Sequence, residues 1–259
     1  MKIHLFLFAA LVSLLSSPVF AQNNRINTYE NVGWYNTFIT AKLPKNFGIH
    51  GEYQWRRTDF GDKWQQSLLR TGINYNVNSR VQFRLGYGWI ETFAYGDIPL
   101  NAFGKNFTEH RIFQMMQLSN KEGRVEFSHR FMLEQRFVGK YALATDVKER
   151  EFVYMNRMRY MFRAQIPFRG KDIGVKTAYA AVYDEVFLGF GTHVNANVFD
   201  QNRFGALIGY RFNSTVKLEA GYFNQILQLG RQVDGKNVFQ HNTGFIINAY
   251  LGLDFSEKK

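Results

Sequence analysis

The sequence predicts an all-β fold, a transmembrane antiparallel up-and-down β-barrel, on three observations. Apolar and polar residues alternate in segment after segment, the apolar parity is rich in aromatics, and the chain opens on an export-type segment. Alternation of this kind marks strands with two unlike faces. Phe47, Ile49, Gly51, Tyr53 and Trp55 share one parity, while His50, Glu52, Gln54 and Arg56 share the other. Val125, Phe127, Phe131, Leu133 and Phe137 likewise oppose Glu126, Ser128, Arg130, Glu134 and Arg136. A soluble sandwich would turn the apolar face inward. An aromatic face repeated along nearly the whole of an exported chain predicts the inverse, with apolar residues toward lipid and charge toward a lumen.

Residues 1–21 have the layout of a secretory signal peptide. Lys2 gives the positive start, Leu5 to Leu15 the apolar stretch, and Val19-Phe20-Ala21 the cleavage site. The apolar stretch is short for the ~20 residues of a spanning helix. Residues 22–259 suit a single barrel domain, with only four prolines in the whole chain and no low-complexity linker. The absence of cysteine excludes disulfides, a thiol nucleophile and a lipid-modified cysteine. Aromatics at 17% fit the girdles that mark membrane interfaces. The net charge of +11 is dispersed along strands rather than gathered in a patch, which argues against nucleic acid. An outer-membrane location in a Gram-negative bacterium follows from the same features.

Period-two alternation predicts strands over 33–43, 47–57, 64–77, 80–92, 109–119, 124–137, 151–166, 173–186, 202–213, 215–229 and 241–255. Turn residues at 44–46, 78–79, 120–123, 168–171 and 213–214 make short connections. The alternate connections, 93–108, 138–150, 187–201 and 230–240, are longer, as on the outer rim of a bacterial barrel. Single-chain bacterial barrels have even strand counts. The expectation is therefore about 12 strands, the extra one near 23–31, with ten as the alternative. The last strand places Phe245, Ile247, Ala249, Leu251, Leu253 and Phe255 on one parity. It reads either as an ordinary closing strand or as a signal for the barrel-assembly machinery.

The polar parity supplies the candidate lumen-lining residues: Glu52, Arg56, Arg70, Arg84, Arg111, Glu126, Arg130, Glu134, Arg136, Arg157, Arg159 and Arg163. Lys176, Arg203, Arg211 and Lys217 extend the basic set, and Glu109, Asp184, Glu219 and Asp254 the acidic one. Thirteen basic against seven acidic positions leave the lumen net positive. Arginine suits this place because its planar fork grips a carboxylate at two points and stays charged. Two readings remain open. The charges form a structural ladder that fills a narrow interior, or they line a constriction that favours anions.

Several of these residues carry a family resemblance. Glu109-His110-Arg111, the segment from Ser128 to Phe137 with its Arg130, Glu134 and Arg136, Arg157-Met158-Arg159-Tyr160, Trp34, and Trp55-Arg56-Arg57 resemble the domain of unknown function 2490 family. The resemblance covers essentially residues 22–259. It implies an outer-membrane β-barrel of no assigned activity and supplies no catalytic residues.

An outer-membrane hydrolase would need a serine activated by histidine at the lipid-facing surface. His129 is the mid-strand histidine of that parity, and pairing through the 120–123 turn sets Gln114, not a serine, opposite it. The other histidines lack metal-ligand spacing. No catalytic residue, cofactor or metal is therefore expected. The expected partners are outer-membrane lipid, the assembly machinery and a small anionic solute. The functional expectation is a narrow, passive, porin-like pore. The alternative is a closed structural or binding barrel acting through loops, with 93–108 and its Phe93, Tyr95, Phe103 and Phe107 as the candidate surface or plug.

Overall fold

The computed structural model describes residues 25–194 and 197–256; the expected signal peptide lies outside them. Eleven strands form one closed barrel: β1 Arg25–Lys42, β2 Phe47–Thr58, β3 Lys63–Asn76, β4 Val81–Thr92, β5 Phe107–Glu122, β6 Val125–Lys140, β7 Glu151–Pro167, β8 Thr177–Phe190, β9 Phe199–Arg211, β10 Val216–Val233 and β11 Lys236–Asp254. Every sequential pair is antiparallel. The seam between β1 and β11 is parallel, in register from Arg25↔Asn237 to Lys42↔Asp254.

The count corrects the expectation of twelve. Residues 25–31 are the first part of β1, not a separate strand, because inward parity runs unbroken through Thr28, Val32, Trp34 and Asn36 with no turn between. An odd count requires one parallel pair, and it places Arg25 and Asp254 at opposite rims. At the seam Gly244 lies so close to β1 that a Cβ there would sit 1.8 Å from the Val32 carbonyl oxygen. Glycine is what lets the two backbones approach.

Five connections share the rim at the start of β1: 59–62, 93–106, 141–150, 191–198 and 234–235. The expected long loop at 230–240 is instead a two-residue hairpin turn. Asp234 and Gly235 take φ of 50° and 70°, the left-handed pair of a tight hairpin whose twist matches its strands. At the other rim, Asn78 and Asn213 close their turns by accepting two backbone N–H bonds each, at 2.7–2.9 Å. Lys176, expected in β8, sits in the 168–176 connection with φ 56°.

The faces are inverted relative to a soluble protein. On β2, His50, Glu52, Gln54 and Arg56 are buried, while Ile49, Tyr53 and Trp55 are exposed. Ile73 and Ile208 are 61% and 64% exposed. The outer surface changes along the strands. Toward the tight turns it is apolar, with Ile49, Ile73, Leu85, Val182, Ile208 and Leu218 exposed. Toward the long connections polar residues join aromatics such as Trp55, Trp64, Phe152 and Phe190 on the outer face, several of them in hydrogen-bonded pairs. Trp89 donates to Glu91 at 3.0 Å, Tyr154 donates to Asn156 at 2.8 Å, and Tyr87 pairs with His110 at 2.6 Å.

The interior has two unlike walls. Strands β1 and β8–β11 supply apolar bulk through Val32, Trp34, Tyr179, Ala181, Leu207, Phe223 and Ile246. Strands β2–β7 supply most of the charge.

Candidate functional site

The alternation places side chains of neighbouring strands at one height inside the barrel, and there they form a layer of ion pairs. Glu134, 0% exposed, is the hub. It lies 2.6 Å from Arg157, 2.8 Å from Arg159, 3.4 Å from Arg70 and 3.8 Å from Arg111. Arg157 continues to Asp200 at 2.7 Å, and Arg136 links Asp200 to Glu109 at 3.4 and 2.5 Å. Arg111 returns to Glu109 at 2.6 Å. On the other side, Arg159 and Arg130 both reach Glu185 at 2.8 Å, and Arg70 joins Glu52 at 3.1 Å. Each of these charges alone would be costly to bury, and the shared, multiply bonded arrangement is what makes their removal from water tolerable.

The remaining candidates lie around this layer. Arg163 pairs with Glu219 at 2.5 Å, a carboxylate that also accepts from Tyr179 and Tyr250. Glu126 accepts from Gln165 at 2.7 Å near the tight turns. Arg84 donates to Asn74 at 2.6 Å. Arg56 stacks 3.6 Å from the Trp34 ring centroid.

Three charged positions expected in the lumen lie elsewhere. Asp184 faces outward and accepts from Asn202 at 3.0 Å; Glu185 holds the inward place on β8. Lys176 and Asp254 are exposed at the tight-turn rim. Asp200 was missed because it fell in a stretch read as loop. An irregularity opposite it, between Phe187 and Leu188, lets Asp200 and Gln201 both be buried.

Two cavities flank the layer. The larger, about 670 Å³, lies on the tight-turn side, among His50, Glu52, Arg84, Gln117, Arg130 and Lys217. The smaller, about 90 Å³, lies among Tyr95, Leu100, Glu109, Arg111 and Asp200 on the side of the long connections. Trp34, Arg56 and Arg203 line both.

Loop 93–106 folds into the barrel over the smaller cavity. Tyr95 is 9% exposed and accepts from Asn242 at 3.3 Å, and Arg231 donates to the Pro99 carbonyl at 2.8 Å. Loop 141–150 braces it from outside. Tyr141 donates to the Asn106 carbonyl at 2.8 Å, and Lys105 donates to the Asp146 carbonyl. Asp146 in turn accepts from the Ala142 and Leu143 amides and from Arg150. The Arg150 hydrogen bond, with those amides, lowers the Asp146 carboxyl to about 2.

On the outer surface His129 lies opposite Leu118, not Gln114, and its Nδ1 is 2.9 Å from the Tyr160 hydroxyl. Gln114 instead exchanges two hydrogen bonds with Gln135. Among the described residues no three metal-ligating side chains cluster.

The sequence that builds this geometry matches a known family. Residues 31–235 match the family described as "Protein of unknown function (DUF2490)". The chain belongs to that family. No curated protein matches it. The matched span of this DUF2490 member runs from β1 through the Asp234-Gly235 turn and takes in every residue of the ion-paired layer.

Proposed function

We propose that this protein is an outer-membrane β-barrel with a basic lumen. It admits small anionic solutes from its tight-turn end and is closed at rest. The observation that carries the reading is the pairing of an apolar outer wall with a charged interior that is filled across the middle. Exposed apolar surface of this extent is rare on soluble monomers, where such patches cover a few hundred Å². A bilayer is its natural solvent. The mixing of polar residues with Trp and Tyr toward the long connections fits the boundary of the apolar band, as in an aromatic girdle. In this placement the large cavity opens toward the periplasm and the long loops face outward. Insertion is assigned to the barrel-assembly machinery, after export by the signal peptide.

An open porin-like pore fits the geometry less well. Loop 93–106 covers one end, and the Glu134 network bridges the lumen behind it. The alternative of a closed barrel acting through its loops would use this same resting state. No catalytic role is assigned.

Planar-bilayer recording under a salt gradient tests the reading. The native barrel should be silent, and deletion of residues 96–105 should produce small anion-selective steps. Large constitutive steps in the native protein would overturn the closed state. Cation preference in the deletion variant would overturn the assignment of an anion-favouring lumen.

A further inference from the structure

We infer that Arg56, Arg203 and Trp34 form a binding site for a dianionic tetrahedral oxyanion, such as a phosphate group, at the inner end of the large cavity. The inference rests on the basic-lumen reading above and names the ligand chemistry of that lumen.

The argument begins with charge balance. In the ion-paired layer the arginines have carboxylates within reach. Arg56 and Arg203 do not: among the described residues, no carboxylate lies within 4.0 Å of either guanidinium. Their protein acceptors are neutral amides. Arg56 donates to Gln54 and Gln66, and Arg203 donates through Nε alone to Gln201 at 3.1 Å. Both Nη atoms of Arg203 have no acceptor among the described residues, and a guanidinium carries five donors in a fixed fork.

The two cations flank one ring. Their guanidinium carbons lie 3.6 and 4.9 Å from the centroid of Trp34. Cation–π contact offsets part of the cost of burial, yet it supplies no negative charge. Arg56 is 4% exposed, so water reaches it poorly. Two like charges beside one indole, both lining a cavity of ligand size and both lacking a carboxylate, are the arrangement that an anion would complete. Trp34 is held in place by its own Nε1 bond to Gln65 at 2.7 Å. Both arginines line the same cavity, and a tetrahedral dianion offers several acceptor oxygens and two charges to such a pair, where chloride offers one charge and a single centre.

The test uses the full-length folded barrel in detergent, titrated calorimetrically with inorganic phosphate at constant ionic strength. Saturable binding is expected, with Arg56→Gln and Arg203→Gln each weakening it at least tenfold. Arg57→Gln should leave it unchanged, because Arg57 points outward over Trp64, 4.7 Å from that ring. Arg203→Lys, which keeps the charge without the fork, reports independently should Arg56→Gln not fold; it too should weaken binding. Quenching or enhancement of Trp34 fluorescence should follow the same isotherm and vanish in Trp34→Phe. The inference is overturned by absence of binding to the wild type. It is also overturned by wild-type affinity in either Arg→Gln variant, or by chloride displacing phosphate at equal concentration. Insertion of the same samples into vesicles reports the membrane reading separately, so phosphate binding can fail while that reading stands.

Discussion

The barrel half near the long connections and the half near the tight turns are built on the same alternating strands, yet one is filled and the other hollow. Toward the long connections, Glu109, Arg111, Arg136, Arg157 and Asp200 bond one another, and Tyr95 descends over them. Toward the tight turns, Arg84, Glu126 and Gln117 line open space. Both interiors are polar, so polarity does not separate them. The difference is whether each cation finds a carboxylate at its own height, and whether a loop is long enough to enter. Charge pairing thus closes the β2–β7 side of the lumen, where the apolar bulk of the opposite wall does not reach.

The sharpest way to break this comparison is to remove one carboxylate from each half. Glu134→Gln leaves Arg157 and Arg159 short of their shared partner. Loss of one member of a buried pair costs about 3–5 kcal/mol. Glu126→Gln touches only a half-buried carboxylate that accepts from Gln165, and should cost under about 1 kcal/mol. Urea unfolding in lipid vesicles measures both. Equal costs would show that the filled layer is no more than a lining.

The contrast was only partly legible in the sequence. The faces of β2 and β6 could be read because polar and apolar residues mostly alternate there, and Glu134 stands beside Arg130 and Arg136 on one parity. β8 could not be read the same way. Asp184 and Glu185 are adjacent, either can be the inward one, and only pairing with Arg130 and Arg159 selects Glu185. The strand count came out at eleven, between the two even readings, for a different reason: evenness is a habit of bacterial barrels, not a constraint of the backbone, and a parallel β1–β11 seam closes the ring. The Asp234-Gly235 turn was legible and overlooked, since Asp-Gly between alternating runs is a strong hairpin signal. The aromatics of 93–108 suggest either a surface or a plug, and composition does not choose between them; the burial of Tyr95 does.

The outer and inner walls give a second, slightly smaller test. Phe131 is exposed on the outer face of β6, and Thr40 lines the large cavity. If the outer wall meets lipid, Phe131→Arg should cost about 2–4 kcal/mol near the bilayer midplane. Thr40→Arg, adding one more cation to a roomy basic cavity, should stay within about 1 kcal/mol. The folded fraction recovered in vesicles, read by heat-dependent gel mobility, distinguishes them. Equal tolerance would mean that the outer wall is not a membrane surface.

The smallest effect concerns what keeps the filled half covered. Loop 141–150 braces loop 93–106, and Asp146 organises it by accepting from Ala142 and Leu143 at 3.0 and 2.9 Å and from Arg150. Its carboxyl is lowered from 3.8 to about 2, chiefly by the Arg150 hydrogen bond. A folded-state value below the unfolded one means that the ionised form favours the folded loop. That contribution is complete above about pH 4 and is lost as pH falls through 2. Amide exchange at Ala142 and Leu143, corrected for intrinsic rates, should therefore be steady from pH 7 to 4 and accelerate below it. Asp146→Asn, which keeps an acceptor but loses the charge, should exchange faster at pH 7 and show no such acid transition. An acid transition that persists in the variant would place the titrating group elsewhere, and the brace would then not depend on Asp146.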